Sequence, residues 1–316
     1  MTTAGPAAAP AVALDGLTRR FGALTAVDGL SFAVAPGELF GLVGPDGAGK
    51  TTTLRMLAGV LRPSAGDARL GGVSVAREPE RVKHSIAYMA QRFGLYGDLT
   101  VEENLDFYAD LYRVPRAERP ARLERLYRFS ALGPFRARLA GRLSGGMKQK
   151  LALSCCLVHE PEILLLDEPT FGVDPISRRD LWLIVHEMVA RGTTVVVSTA
   201  YMDEAERFDR LAMLHRGRLV ALDSAARLQR DFGLAMVAVP VDRVYEARAA
   251  ARALPGVRAA AVFGDRLHVA VADAAADGRR VAAALRAAGF AAGEAHPVEP
   301  SLEDVFIERI ERAGTA

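Results

Sequence analysis

The sequence predicts an α/β fold built around a phosphate-cradling loop, broken by a helical insertion and followed by a small α+β module. Three observations carry this expectation. Short, continuous apolar runs at Leu39–Val43, Ile163–Leu166 and Thr194–Val197 have the pattern of parallel strands buried on both faces. The stretch from Val101 to Leu139 instead sets acids and arginines against Leu, Phe and Tyr at helical spacing. After about Asp231 alanine becomes very frequent, and strand-like and helix-like segments resume in a new order.

In chain order, Val12–Leu14 is expected as a short strand and Leu30–Val34 as a second, with Pro36-Gly37 marking a turn. Leu39–Val43 is a compact strand that runs into glycine. Thr51–Gly59 follows as a helix, with Leu54, Leu57 and Ala58 on one face. The helical insertion occupies about residues 92–142, and Leu181–Val189 forms a helix between two of the buried strands. These segments make one domain over 11–230. Beyond it, Leu234–Val241 reads as strand, Val244–Ala253 as helix and Val257–Phe263 as strand. Gly264-Asp265 is a two-residue hairpin turn into the strand Arg266–Val271. Gly278–Ala288 is a helix, Ala292–Val298 a strand, and Ser301–Arg309 a final helix opened by the Ser301/Asp304 capping pair. The βαββαβ order predicts a ferredoxin-like module over 234–316. It shows no catalytic constellation and is expected to be a structural or dimerisation appendage.

Composition excludes several classes. The 316 residues are 50% hydrophobic, enough for one sizeable core and a smaller second one. Lys+Arg 40 against Asp+Glu 38 leaves a formal charge of +2, without the basic excess of a dedicated nucleic-acid binder. The two cysteines, Cys155 and Cys156, are adjacent and are expected as small buried helix residues rather than a disulfide. No apolar run is long enough to span a bilayer, so a membrane role must come through a partner. Met1–Pro10 lacks a basic start before an apolar stretch; it is expected as a disordered tail rather than a secretory signal.

Three motifs carry chemistry. Gly44-Pro45-Asp46-Gly47-Ala48-Gly49-Lys50-Thr51 fits G-x-x-x-x-G-K-[ST], after an apolar strand and before a helix. Its glycines let backbone N–H groups curl toward phosphate oxygens, and the helix start adds a favourable dipole. Lys50 supplies a point charge for the β- and γ-phosphates, and the Thr51 hydroxyl can ligate Mg²⁺. In Ile163-Leu164-Leu165-Leu166-Asp167-Glu168-Pro169-Thr170 a buried strand ends in two carboxylates. Asp167 is placed to bind Mg²⁺ and Glu168 to polarise the attacking water as general base. Leu143-Ser144-Gly145-Gly146-Met147-Lys148-Gln149-Lys150 opens an apolar helix with a hydroxyl and free N–H groups that suit an anion.

In this order the motifs resemble the Walker A, LSGGQ signature and Walker B sequences of ABC ATPases, over about Leu14 to Leu222. The fold implied is a P-loop ABC ATPase core with an inserted helical subdomain. The cofactors implied are ATP and Mg²⁺. By resemblance Phe21 is the adenine-stacking aromatic, and Val27 and Thr52 also belong to the nucleotide site. Gln91 is the glutamine that senses Mg²⁺ and the γ-phosphate, and Phe171-Gly172-Val173-Asp174 is the D-loop. Ser144, Gly145, Gly146 and Gln149 are implied to complete an ATP site across a head-to-tail pair, on a second ATPase cassette. Gln91-Arg92-Phe93-Gly94-Leu95-Tyr96, Leu99-Thr100-Val101, Glu103-Asn104-Leu105, Tyr201-Met202-Asp203-Glu204-Ala205-Glu206 and Pro300-Ser301-Leu302-Glu303-Asp304-Val305-Phe306 resemble type-2 exporters of drugs, antibiotics and polysaccharides. Gly44-Pro45-Asp46 and Lys148-Gln149-Lys150 resemble more narrowly the first half of tandem-ATPase drug-efflux proteins. The partners implied are type-2 permease subunits, whose cytoplasmic helix would meet Phe93, Leu95, Tyr96 and Leu99. The location implied is the cytoplasmic face of the plasma membrane. A soluble ABC clamp on ribosomes or DNA, which usually carries two cassettes or a coiled-coil insertion, and an importer motor are the other readings.

The pattern breaks at one point. Ser198-Thr199-Ala200 stands where the family usually has Ser-Thr-His, so the switch histidine is Ala200. Asp46 stands where Asn is common. A site that holds ATP well and hydrolyses it slowly follows, paired with a faster site completed by this chain's signature on a different ATPase. A homodimer with two slowed sites is the alternative.

Overall fold

In a computed structural model, residues 9–92 and 94–314 are described; Phe93 and all but the last two residues of the expected tail lie outside them. The chain divides into two compact units. One holds residues 1–201, 208–210 and 214–218, and the other 202–207, 211–213 and everything from Leu219.

The first unit has two sheets. In the antiparallel one, Leu24–Val34 pairs with Val12–Phe21, which pairs with Ala65–Leu70 and through it Val73–Ser74. Both leading strands are much longer than expected. Gly16 (φ 58°) and Gly29 (φ 64°), just outside the expected strands, take left-handed conformations at irregularities that shift the register and let pairing continue. In the second sheet Leu39–Val43, Thr194–Thr199, Ile163–Asp167 and Ile86–Met89 lie side by side and parallel. All five residues of Leu39–Val43 and of Ile163–Asp167 are buried, as both-face burial requires. Close packing fixes Gly41: a Cβ there would lie 2.2 Å from the Phe208 ring.

Helices cover and extend these strands. Lys50–Leu57 follows the phosphate loop, and Pro175–Ala190, longer than the expected Leu181–Val189, starts at an Asp174 cap on the Ser177 N–H. The insertion contains Val101–Leu111 and Arg119–Ser130. A capping box starts the first of these: Thr100 Oγ1 accepts from the Glu103 N–H at 3.1 Å and Glu103 accepts from the Thr100 N–H at 2.8 Å. Fully buried Asn104 then bonds Tyr96 O, Leu99 O and Thr100 O, locking the preceding loop to the helix. Both insertion helices pack on Gly145–Leu157, which carries Cys155 and Cys156. The two thiols are free and buried, and burial raises both well above the usual thiol range. His159, just beyond, stacks on Tyr112 at 3.8 Å between ring centroids and is held below the usual imidazole value, first by burial.

The second unit has its own sheet, in the order Ala259–Phe263, Arg266–Val271, Ala235–Pro240, His296–Val298, antiparallel throughout. With helices Val244–Arg252 and Ala274–Ala287 this is the βαββαβ arrangement, over a core of Val237, Val239, Leu267, Val269, Val281 and Leu285. The alanines have a use: Ala247, Ala251 and Ala282 are buried in that core, where small side chains let helices approach the sheet. Phe263 pairs with Arg266 across the two-residue Gly264-Asp265 turn. The last strand is shorter than expected; Ala292 contributes only an isolated bridge to Val241 before His296–Val298 pairs. Ser301 and Asp304 cap the final helix, Leu302–Gly314, reciprocally at 2.9 and 3.2 Å. Helix Ala225–Arg230 packs against that final helix, which is why this unit begins earlier in the chain than the composition change near Asp231. Among the described residues no helix is long and apolar enough to cross a membrane.

Candidate nucleotide-binding site

The C-terminal ends of the parallel strands present the motif residues to one another. Pairing of Ile163–Asp167 with Thr194–Thr199 sets Asp167 beside Ser198, and pairing of Thr194–Thr199 with Leu39–Val43 brings the phosphate loop alongside. Asp167, 1% exposed, is held by three hydroxyls. Thr51 and Ser198 donate to Oδ1 at 3.0 and 2.7 Å, and Tyr88 donates to Oδ2 at 3.3 Å. Burial, then the Asp167 charge, pushes the Tyr88 hydroxyl up to about 12, so it remains a donor. Glu168 has a left-handed backbone (φ 49°), rare for a side-chain-bearing residue and a mark of stored strain at working sites. Its N–H is shared between Ser198 Oγ at 3.0 Å and Ser198 O at 3.2 Å.

The Glu168 carboxylate is gripped from two sides. Lys50 Nζ lies 3.1 Å from Oε1, and Gln91 Nε2 donates to Oε2 at 2.8 Å. Lys50 also donates to Gly44 O at 2.7 Å and Pro45 O at 3.2 Å. Its stem is buried, and the ammonium is fixed by partners that all belong to the two carboxylate and phosphate-loop motifs.

The loop meets the test for a phosphate cradle. Gly47 (φ 77°) and Gly49 (φ 102°) adopt left-handed conformations, the kind that lets a loop's N–H groups converge on an anion. A Cβ on Gly44 would lie 2.3 Å from Leu214 O, and one on Gly49 would lie 2.6 Å from Ala26 O. Only glycine fits at either place. Above the loop is a cavity of about 760 Å³, lined by Phe21, Asp46, Gly47, Ala48, Gly49, Lys50, Thr51, Thr52, Gln91 and Glu168. Among the described residues no cluster of three or more His, Cys, Asp or Glu could hold a metal alone. A cation that takes one carboxylate, one hydroxyl and phosphate oxygens needs no such cluster, and the Asp167–Thr51 pair provides the protein share.

Three expectations are corrected or refined. Val27 does not line the cavity: it is fully buried, beneath Gly49, and supports the loop rather than facing a ligand. Gly44 and Pro45 contribute through their carbonyls to Lys50 and are not among the lining residues. Ser144, Gly145, Gly146 and Gln149 are not in this cavity either. Ser144 caps its helix through the Met147 N–H at 3.3 Å, Gln149 lines a separate hollow with Gln91, and Gly146 is wedged against Ser177, whose Oγ would lie 2.2 Å from an added Cβ. Phe21 lines the cavity, 44% exposed, with Arg19 over its ring at 4.5 Å. Ala200 is exposed, just past the end of its strand. Sequence reasoning missed Leu24, Thr25, Ala26 and Arg216, which also line the cavity together with Phe171 of the expected D-loop, and Tyr88, which braces Asp167.

A phosphate-cradling loop, paired carboxylates on a parallel strand of the same sheet and a glycine-started helix packed against the inserted helices define an ATP-binding cassette. The family description "ABC transporter" matches residues 27–171. The chain is 50% identical over 211 residues to the probable multidrug ABC transporter ATP-binding protein YbhF of Escherichia coli, covering 66% of this chain and 36% of that protein. It therefore spans about a third of the length of that relative. It is 35% identical over 300 residues to the daunorubicin resistance ATP-binding protein DrrA3 of Streptomyces coeruleorubidus, covering 94% of this chain and 95% of that one. Among solved structures, a dimeric ATP-binding cassette in a post-hydrolysis state with ADP and Pi matches at a TM-score of 0.62 and 25% identity, over 67% of this chain and 98% of that one. The chain belongs to the family of ABC transporter ATP-binding proteins, whose cassettes are ATPases.

Proposed function

We propose that this chain is the ATP-hydrolysing motor of an exporter, working with Mg²⁺ and a separate type-2 permease at the cytoplasmic face of the membrane. The observation that carries this is the knot of Lys50, Thr51, Gln91, Asp167 and Glu168, closed by contacts of 2.8 to 3.1 Å between motifs far apart in the sequence. Adenine stacks on Phe21, and the polyphosphate takes the loop N–H groups. Lys50 exchanges Glu168 and its two carbonyls for β- and γ-phosphate oxygens. That frees the Glu168 carboxylate to accept a proton from the attacking water, with Gln91 orienting the pair. Thr51 and Asp167 are the residues that would hold Mg²⁺, which would supply charge neutralisation on the phosphates.

One feature supports a paired assembly. The signature residues lie away from the cavity of their own chain, as expected if they complete a site on another cassette. The relatives' names, multidrug and daunorubicin resistance, favour drug-like cargo. A heterodimer is favoured because Ala200 slows this chain's site while its signature is intact. Exposed Tyr96, Phe107 and Leu111 with half-buried Leu95 form an apolar surface on the insertion that suits a permease helix. Steady-state hydrolysis by the purified chain, alone and with its permease and partner cassette, tests the whole reading. Binding of ATP by Glu168→Gln with hydrolysis lost is the expected result. Rapid turnover by the isolated chain would overturn the slow-site reading.

A further inference from the structure

Beside the phosphate loop the chain turns sharply through Arg216 and Gly217, and both residues have positive φ, 47° and 81°. Asn-Gly or Gly-Gly is the natural choice for such a turn, and an arginine at its first position is strained. The turn is fixed on both sides. The Gly217 N–H donates to Ala48 O of the loop at 3.0 Å, and the Asp28 N–H donates to Gly217 O at 2.9 Å. A Cβ on Gly217 would lie 2.8 Å from Ala26 O, so the backbone has no room to shift. This rigid mount places Arg216 on the wall of the 760 Å³ cavity, with Phe21, Ala26 and Asp46–Thr52.

The charges in that cavity are not balanced without it. Lys50 is engaged with Glu168. Asp46 is exposed on the loop and adds negative charge where a polyphosphate must sit. The flanking arginines are committed elsewhere, Arg210 to Glu38 at 2.7 Å and Arg218 to Asp28 at 2.9 Å. Among the described residues no carboxylate lies within ion-pair distance of Arg216. Its charge is felt nearby: His215 is held below the usual imidazole value by burial and then by Arg216.

We infer that Arg216 is a nucleotide-binding residue, a second cation for the polyphosphate of ATP and ADP that offsets Asp46. This rests on the ATP-binding reading above. A guanidinium suits the role because its planar fork makes two charge-assisted bonds to phosphate oxygens. It accounts for an arginine kept at a position whose backbone favours asparagine.

Arg216→Asn separates binding from folding, because asparagine suits the turn and removes the cation. Calorimetric titration of the full chain with ATP, ADP and adenosine is the experiment. Arg216→Asn should bind ATP and ADP about tenfold more weakly, the loss of one charge-assisted contact, and adenosine no differently. Arg216→Lys should recover part of the loss, and Asp46→Asn should tighten ATP binding. Raising salt should shrink the gap between wild type and Arg216→Asn as the charge is screened. Wild-type-like affinity in Arg216→Asn overturns the assignment while leaving the ATP-binding reading intact. Failure of the wild-type chain to bind ATP or ADP overturns both.

Discussion

Ala200→His is the substitution that tests how this site is tuned. Ala200 is exposed, immediately after the buried strand Thr194–Thr199 whose Ser198 holds both Asp167 and the Glu168 N–H. A histidine there displaces no core side chain, so stability should change by no more than about 0.5 kcal/mol. It adds a donor one residue past the strand end that pairs with the carboxylate-bearing strand, on the side where the ATP-binding reading puts the γ-phosphate. A hydrogen bond to a charged group is worth about 1.5–3 kcal/mol. If that bond forms in the transition state and not with bound ATP, hydrolysis rises about 10- to 150-fold at saturating ATP. The assay is steady-state phosphate release by wild type and variant, with ATP affinity measured separately. An unchanged rate in a variant that binds ATP normally would refute the reasoning, and Ala200 would then not be what limits the site. A gain in affinity without a gain in rate would show the contact is made equally to ground and transition states.

Three further outcomes follow from the same geometry. Tyr88→Phe removes a donor from Asp167 at a cost of about 1 kcal/mol, so half-maximal hydrolysis should need about fivefold more Mg²⁺, while Mg²⁺-free nucleotide binding stays as it was; an unshifted Mg²⁺ titration refutes the brace. Lys50→Met leaves the buried Glu168 carboxylate without its cation and should destabilise nucleotide-free protein by about 3 kcal/mol in denaturant melts, with Lys50→Met/Glu168→Gln recovering most of it. Equal losses in single and double variants would mean the pair is not coupled. His159 has a folded pKa depressed below 6.5 by burial, so the unfolded chain binds its proton first on acidification. Its contribution to stability is intact above pH 6.5 and is lost as pH falls toward the folded value; His159→Phe, which keeps the Tyr112 stack, should flatten stability against pH below 6.5.

The residues legible in sequence were those whose chemistry is local. The phosphate loop declares itself in eight consecutive residues, and Asp167-Glu168 follows a run of four apolar ones. Tyr88, Ser198 and Arg216 were not assigned their contacts, because each lies on a different segment and reaches the site only through parallel pairing or a tight turn. Parallel register is set by crossovers tens of residues long, and no pattern within a strand states which neighbour stands opposite. Val27 shows the converse limit: a residue assigned to the nucleotide site by resemblance is fully buried and does not line the cavity. The strands observed at Val12–Phe21 and Leu24–Val34 outrun the expected Val12–Leu14 and Leu30–Val34 because pairing continues through Gly16 and Gly29, and a glycine that breaks a strand and one that bulges it look alike in sequence.

The buried thiols have a practical corollary. Cys155 and Cys156 are the only cysteines in the chain, and neither is exposed or readily ionised. The thiolate is the reactive species, so the native fold offers a maleimide nothing to attack at neutral pH. A cysteine introduced at Leu183 or Tyr245, both largely exposed, would be modified alone in an otherwise unaltered sequence. Spin labels or fluorophores placed this way could report distances between cassettes through a turnover cycle without a cysteine-free background.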